Sequence, residues 1–90
     1  PEAVQWMIDN GAEINHKSDD GDTALIMAAK EGHLPILEKL IKNGANISTV
    51  GNFERNALWH AASNGHLDIV KSLINHIIQK QQYVYFSQLH

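Results

Sequence analysis

The chain has 90 residues, 43% hydrophobic and 19% charged, with a formal net charge of -3 and no cysteine. That balance suits a folded chain rather than a disordered one and excludes disulfide staples and thiolate metal sites, while the scattered basic residues argue against nucleic acid or an anionic membrane as partner. No apolar run approaches membrane-spanning length and no signal-like segment follows Pro1, so an excised or processed piece of an intracellular, cytoplasmic protein is expected, the nucleus or a host cell's cytosol being the other settings.

In chain order, Val4, Met7 and Ile8, with Trp6 beside them, predict a helix over Pro1 to Asn10 that Gly11 ends. Glu13 to Asp22 is polar and holds Ser18, Asp19, Asp20 and Gly21, the chemistry of a turn. Helices follow from about Thr23 to Glu31, with Thr23 as the cap, and from about Leu34 to Asn43. Asn46 to Arg55 forms a second turn around Gly51. Further helices run from about Asn56 to Asn64 and from about Leu67 to beyond Ile78, towards Lys80. Asn10-Gly11, Asn43-Gly44 and Asn64-Gly65 each follow a helical run, so they read as helix ends rather than hairpin turns.

The elements repeat. Ala24, Leu25, Ala28, Ala29, Gly32, His33, Leu34, Ile36, Leu40 and Ile41 return 33 positions later as Ala57, Leu58, Ala61, Ala62, Gly65, His66, Leu67, Ile69, Leu73 and Ile74. Two short helices per unit at this period predict a solenoid. The four paired alanines are expected to be buried, because only small side chains let neighbouring helices approach closely. By the same offset, Val4, Met7, Ile8 and Gly11 match Leu37, Leu40, Ile41 and Gly44, so the opening reads as the second helix of a unit whose first is missing. One side of Val4, Trp6, Met7 and Ile8 is then expected to be exposed. The division is 1–18 for that half unit, 19–51 for a full unit and 52–80 for the last, with 81–90 as a cap or the start of a following segment. Tyr83, Val84, Tyr85 and Phe86 are too apolar for a free tail.

Thr23 through Ile47, with its Ala28-Ala29, Gly32-His33 and Gly44-Ala45 pairs, resembles the ankyrin repeat family, and the likeness covers about residues 1 to 78. The resemblance implies an all-α ankyrin solenoid of stacked helix-turn-helix units with short hairpin fingers, about two and a half repeats long. It also implies partner binding through finger tips and first helices. The family's Pro-Leu-His is Ala24-Leu25-Ile26 and Ala57-Leu58-Trp59 here, which removes a histidine that ties neighbouring fingers. Asp20-Gly21 is kept but becomes Phe53-Glu54 in the next unit, and Asn56 stands where the family starts its helix with Thr, so the last finger is expected to be irregular.

The residues give no support to catalysis. His33 and His66 sit where the family uses histidine to hold the turn between paired helices, and His16, His60, His76 and His90 lack metal-ligand spacing. No nucleophile-elbow sequence occurs. A calcium loop with Gly21 at its sixth position would start at His16 and end at Met27, neither a suitable oxygen ligand. Asn46-Ile47-Ser48 matches a glycosylation acceptor by chance. No enzyme activity, cofactor, metal or small-molecule ligand is therefore expected.

What remains is surface for a partner protein. Carrying the family's contact positions over gives Lys17, Asp19, Asp20, Asp22, Lys30 and Glu31 in one unit, and Val50, Asn52, Phe53, Arg55, Ser63 and Asn64 in the next. Phe53 is either a binding anchor or half of a Phe53–Trp59 contact that repairs the irregular finger. Asn15 resembles the finger asparagine that an oxygen-dependent hydroxylase modifies in some ankyrin proteins, beside a plain turn-stabilising role. The expected function is non-catalytic protein recognition. A substrate-recruiting or regulatory segment of a larger enzyme, such as a bacterial effector acting in a host cell, is the alternative.

Overall fold

The computed structural model describes residues 14–88, with side chains as far as Lys80. The helix predicted over Pro1 to Asn10, its residues Val4, Trp6, Met7 and Ile8, and the side chains of Tyr83 to Phe86 lie outside what is described. Within it all regular structure is helical: α1 (Ala24–Glu31), α2 (Leu34–Lys42), a single 3-10 turn (Asn52–Glu54), α3 (Ala57–Ser63) and α4 (Leu67–Gln88).

Each helix boundary has a local cause. The Thr23 hydroxyl accepts the Ile26 N–H at 3.3 Å and the Asn56 side chain accepts the Trp59 N–H at 2.8 Å, so the two first helices start at matched caps. Gly32 ends α1 in the left-handed region, φ 79°, which lets the His33 N–H bond back to the Ala28 carbonyl at 2.9 Å. The His66 N–H repeats this on Ala61. α4 behaves differently. Where the preceding unit turns at Gly44-Ala45 this one has Ile77-Ile78, and the helix runs past Lys80 through Gln88 instead of ending near it. Tyr83 to Phe86 continue that helix and do not fold back.

The helices stack in two rows, α1 on α3 and α2 on α4, while α1 packs on α2 and α3 on α4 within each unit. The core is Leu25, Ile26, Ala28, Ala29, Leu37, Leu40, Ala57, Ala61, Ile69 and Leu73, with Ala45 at its edge. Equivalent residues differ in burial according to which neighbour is present. Ile26 is fully buried under the next unit, but its counterpart Trp59 is 43% exposed. Ala29 is fully buried, whereas Ala62, expected to be buried with it, is exposed. The reason is geometric: α3 covers the α1 face carrying Ile26 and Ala29, and among the described residues nothing covers the same face of α3. On the opposite side Met27 is exposed while His60, its counterpart, is buried against the preceding unit.

Polar ties join the rows. The Ser72 hydroxyl and His76 Nε2 both bond to the Glu38 carboxylate, the latter at 3.1 Å, linking α4 to α2. The Ser72 bond, then the His76 bond, hold the Glu38 carboxyl below the usual carboxylate range.

The stacking assignment predicts a contrast between two adjacent alanines. Ala61→Leu should destabilise the chain by roughly 1 to 3 kcal/mol through overpacking, while Ala62→Leu should change stability by less than about 0.5 kcal/mol. Urea unfolding of both variants checks this, and equal losses would contradict the assigned face.

Candidate functional site

The two fingers are closed by equivalent hydrogen bonds. The Ser18 N–H bonds to the Asp22 carbonyl at 2.9 Å, and 33 residues later the Gly51 N–H bonds to the Arg55 carbonyl at 3.1 Å. The first closes a turn whose tip holds exposed Asp19 and Asp20, with Lys17 exposed at its base. Asp22 does not join that surface. It is only 8% exposed, and its Oδ1 accepts the Asn52 N–H of the next finger at 3.2 Å. Asp22, expected above among the contact residues, is buried instead, because its carboxylate is taken up in holding the fingers together. Gly51 makes the clamp possible: a Cβ there would lie 2.2 Å from that same Asp22 oxygen.

The second finger carries the irregularity expected of it. Phe53 and Glu54 both adopt left-handed backbone, φ 57° and 58°, and Glu54 occupies the position that Gly21 fills, at φ 87°, one unit earlier. Non-glycine residues pay for this conformation with a close Cβ–carbonyl approach. The result is a Phe53 side chain that is 77% exposed at the tip. Phe53 and Trp59 meet through Arg55, whose guanidinium carbon lies 4.1 Å from the Trp59 ring centroid and 5.2 Å from that of Phe53. Both aromatic residues therefore belong to one cluster, and the direct packing considered above is mediated by the cation.

Behind this cluster, Trp59 meets His60 edge-on at 5.1 Å. His60 is 8% exposed and its Nε2 is buried without a hydrogen-bond partner. Burial lowers its pKa from the ordinary histidine value; the Asp22 carboxylate opposes that shift, and Lys30 and Arg55 add to it. The neutral form of the ring is thereby favoured.

The remaining expected contact residues border the fingers. Lys30, Glu31, Val50, Asn52, Ser63 and Asn64 are exposed. Two of them also serve the stack: the Asn64 amide donates to the Lys30 carbonyl at 3.0 Å, and His66 Nε2 reaches the same oxygen at 3.1 Å. His66 thus bridges to the preceding unit rather than holding its own turn, with its ring seated so close to Gly32 that a Cβ there would lie 2.7 Å from it. His33 instead lies 3.2 Å from Glu31. Asn15 accepts the Asn46 N–H at 2.7 Å and donates to the Gly44 carbonyl at 3.3 Å, so its amide ties the first finger to the loop after α2.

Sequence reasoning did not find His60 or the Asp22–Asn52 clamp. The pairing of His60 with Met27, and of Arg55 with Asp22, across the 33-residue offset was the available signal.

Two expectations follow. Glu54→Gly should stabilise the chain by about 1 kcal/mol by removing the left-handed penalty, read as a raised denaturation midpoint. For His60, the folded-state pKa lies below the unfolded value of about 6.5, so as pH falls the unfolded chain takes up this proton first. Stability from this group holds above about pH 6.5 and declines below it. His60→Met, which copies Met27, should flatten that part of the stability profile relative to the parent chain; parallel profiles would show that His60 does not contribute.

Comparison with protein families finds that a model described as Ankyrin repeats (3 copies) matches residues 1–83. Comparison with curated proteins finds no match.

Proposed function

The chain belongs to the ankyrin repeat family, whose repeats are in general non-catalytic protein–protein interaction modules, and on that premise we propose that it binds a partner protein across its two finger tips and the first helices behind them. The observation that carries this reading is Phe53, a large aromatic side chain held out at a finger tip on left-handed backbone. Folding gains little from it there, and exposed aromatics are over-represented among the anchors of interfaces. Asp19 and Asp20, exposed on the adjacent finger, suit a basic patch on the same partner. Lys17, Lys30, Glu31, Val50, Asn52 and Ser63 form the rim, and Asp22 is left out of it.

The roles divide by physics. Exposed charges act at a distance, so Asp19 and Asp20 govern mainly the association rate and its dependence on salt. An aromatic buried in a partner's pocket governs mainly dissociation. With a partner isolated by affinity capture, Phe53→Ala should weaken binding by about 2 kcal/mol. Replacing Asp19 and Asp20 by Asn should flatten the salt dependence of the association rate with little change in dissociation. Titration calorimetry and stopped-flow association test both. If neither change alters binding while the fold is intact, the finger face is not the docking surface.

A further inference from the structure

We infer that Arg55 is a receptor for a carboxylate carried by an acidic segment of the partner polypeptide. The inference rests on the reading of the fingers as the docking surface and names the chemistry that surface selects.

It begins with a reversal at one repeat position. Arg55 stands 33 residues after Asp22. In the earlier unit that position is an acceptor, and its carboxylate takes the N–H of the neighbouring finger. In the later unit it is a guanidinium, which carries five N–H donors and no acceptor. At this position the second described finger therefore carries a group that cannot receive another finger's N–H and that needs an acceptor of its own.

No carboxylate among the described residues supplies that acceptor. Among the described residues the carboxylates in ion-pair contact are Glu31 with His33 and Glu38 with His76, and none is paired with Arg55. Glu54, its chain neighbour, is exposed and forms no ion pair with it. Arg55 is nonetheless held in place, half-buried, with the Trp59 and Phe53 rings against it. Rings that pack on a guanidinium fix its orientation and leave N–H groups at its edge, the geometry that pairs with a carboxylate through two parallel hydrogen bonds. Because the side chain is already ordered, less conformational entropy is lost when the ligand arrives.

The surroundings favour a peptide over a polyanion. Nucleic acid and anionic lipid are held by many cations together, whereas Arg55 is the one arginine of a chain of net charge -3, and the exposed Lys17 and Lys30 of this face are offset by exposed Asp19, Asp20, Glu31 and Glu54. A single carboxylate flanked by an apolar side chain meets both needs: the acid on Arg55, the apolar group on Phe53, which is exposed beside it.

The test is selection of random linear peptides displayed on phage against the full chain, followed by titration of synthetic copies of those selected. The expected peptides share an Asp or Glu next to an apolar residue. Changing that acid to its amide, or Arg55→Gln in the chain, should each weaken binding about tenfold or more, and the two together little more than either alone. Arg55→Lys, which keeps the charge but loses the planar fork, should fall between. Thermal unfolding of both variants confirms that they are folded. Selected peptides without an acid, or unchanged affinity for folded Arg55→Gln and Arg55→Lys, would overturn the inference, as would displacement by inorganic phosphate but not by equal acetate. If Phe53→Ala weakens the same peptides while Arg55→Gln does not, the docking surface stands and the carboxylate receptor falls. If neither substitution matters, both readings fall.

Discussion

Two helices of eight and nine residues cannot enclose an apolar core by themselves, so every unit of this chain depends on the neighbour stacked against it. The contact between α1 and α3 bears most of that dependence. Ala28 and Ala29 on one helix and Ala57 and Ala61 on the other are small enough to bring the backbones close, and Leu25, Ile26, Leu37, Leu40, Ile69 and Leu73 fill the space behind them. Burial is thus decided between units, which is why Ile26 is enclosed while Trp59, at the same place in its own unit, is partly open.

Short helices bring a second dependence. The last four carbonyls of any helix lack partners within it, and in a helix of eight residues that is half of its carbonyls. The neighbour supplies what is missing: Asn64 and His66 both reach the Lys30 carbonyl, Asn15 reaches the loop after α2, and Asp22 takes the Asn52 N–H. These bonds join residues about one period apart, so each fixes the register of one unit on the next. The glycines belong to the same scheme. Gly32 leaves room for the His66 ring and Gly51 for the Asp22 carboxylate, so the apposed units can close to bonding distance.

A base held this way frees the finger tips from any duty in folding. Asp19, Asp20 and Phe53 are exposed on loops whose feet are tied, which fits the proposed recognition because a pre-ordered surface loses less entropy on binding. The strain at Phe53 and Glu54 is tolerated because the bonds from Gly51 to Arg55 and the Arg55 stack fix the finger on both sides. The two described fingers differ in sign at this position, with a guanidinium at Arg55 where the earlier one has the Asp22 carboxylate. That difference gives the surface a direction.

Much of this was legible in the residues. The period of 33, the cap at Thr23, the glycine stops and the all-helical stack follow from local chemistry repeated at a fixed spacing, which needs no knowledge of what lies across the chain. The family match over residues 1–83 agrees with it. Exposure was less legible. Asp22 looks like its neighbours Asp19 and Asp20, and Ala62 looks like Ala29, yet their environments differ because burial depends on a partner about 30 residues away or on its absence. The placement of Arg55 between two rings, the buried His60, and the bridge from His66 to Lys30 likewise arise only when one unit is laid on another. Sequence by itself determined the elements and their repetition, since those rest on residues close in the chain; tertiary structure alone decided which equivalent side chains are buried, bonded or presented, since those rest on contacts between units.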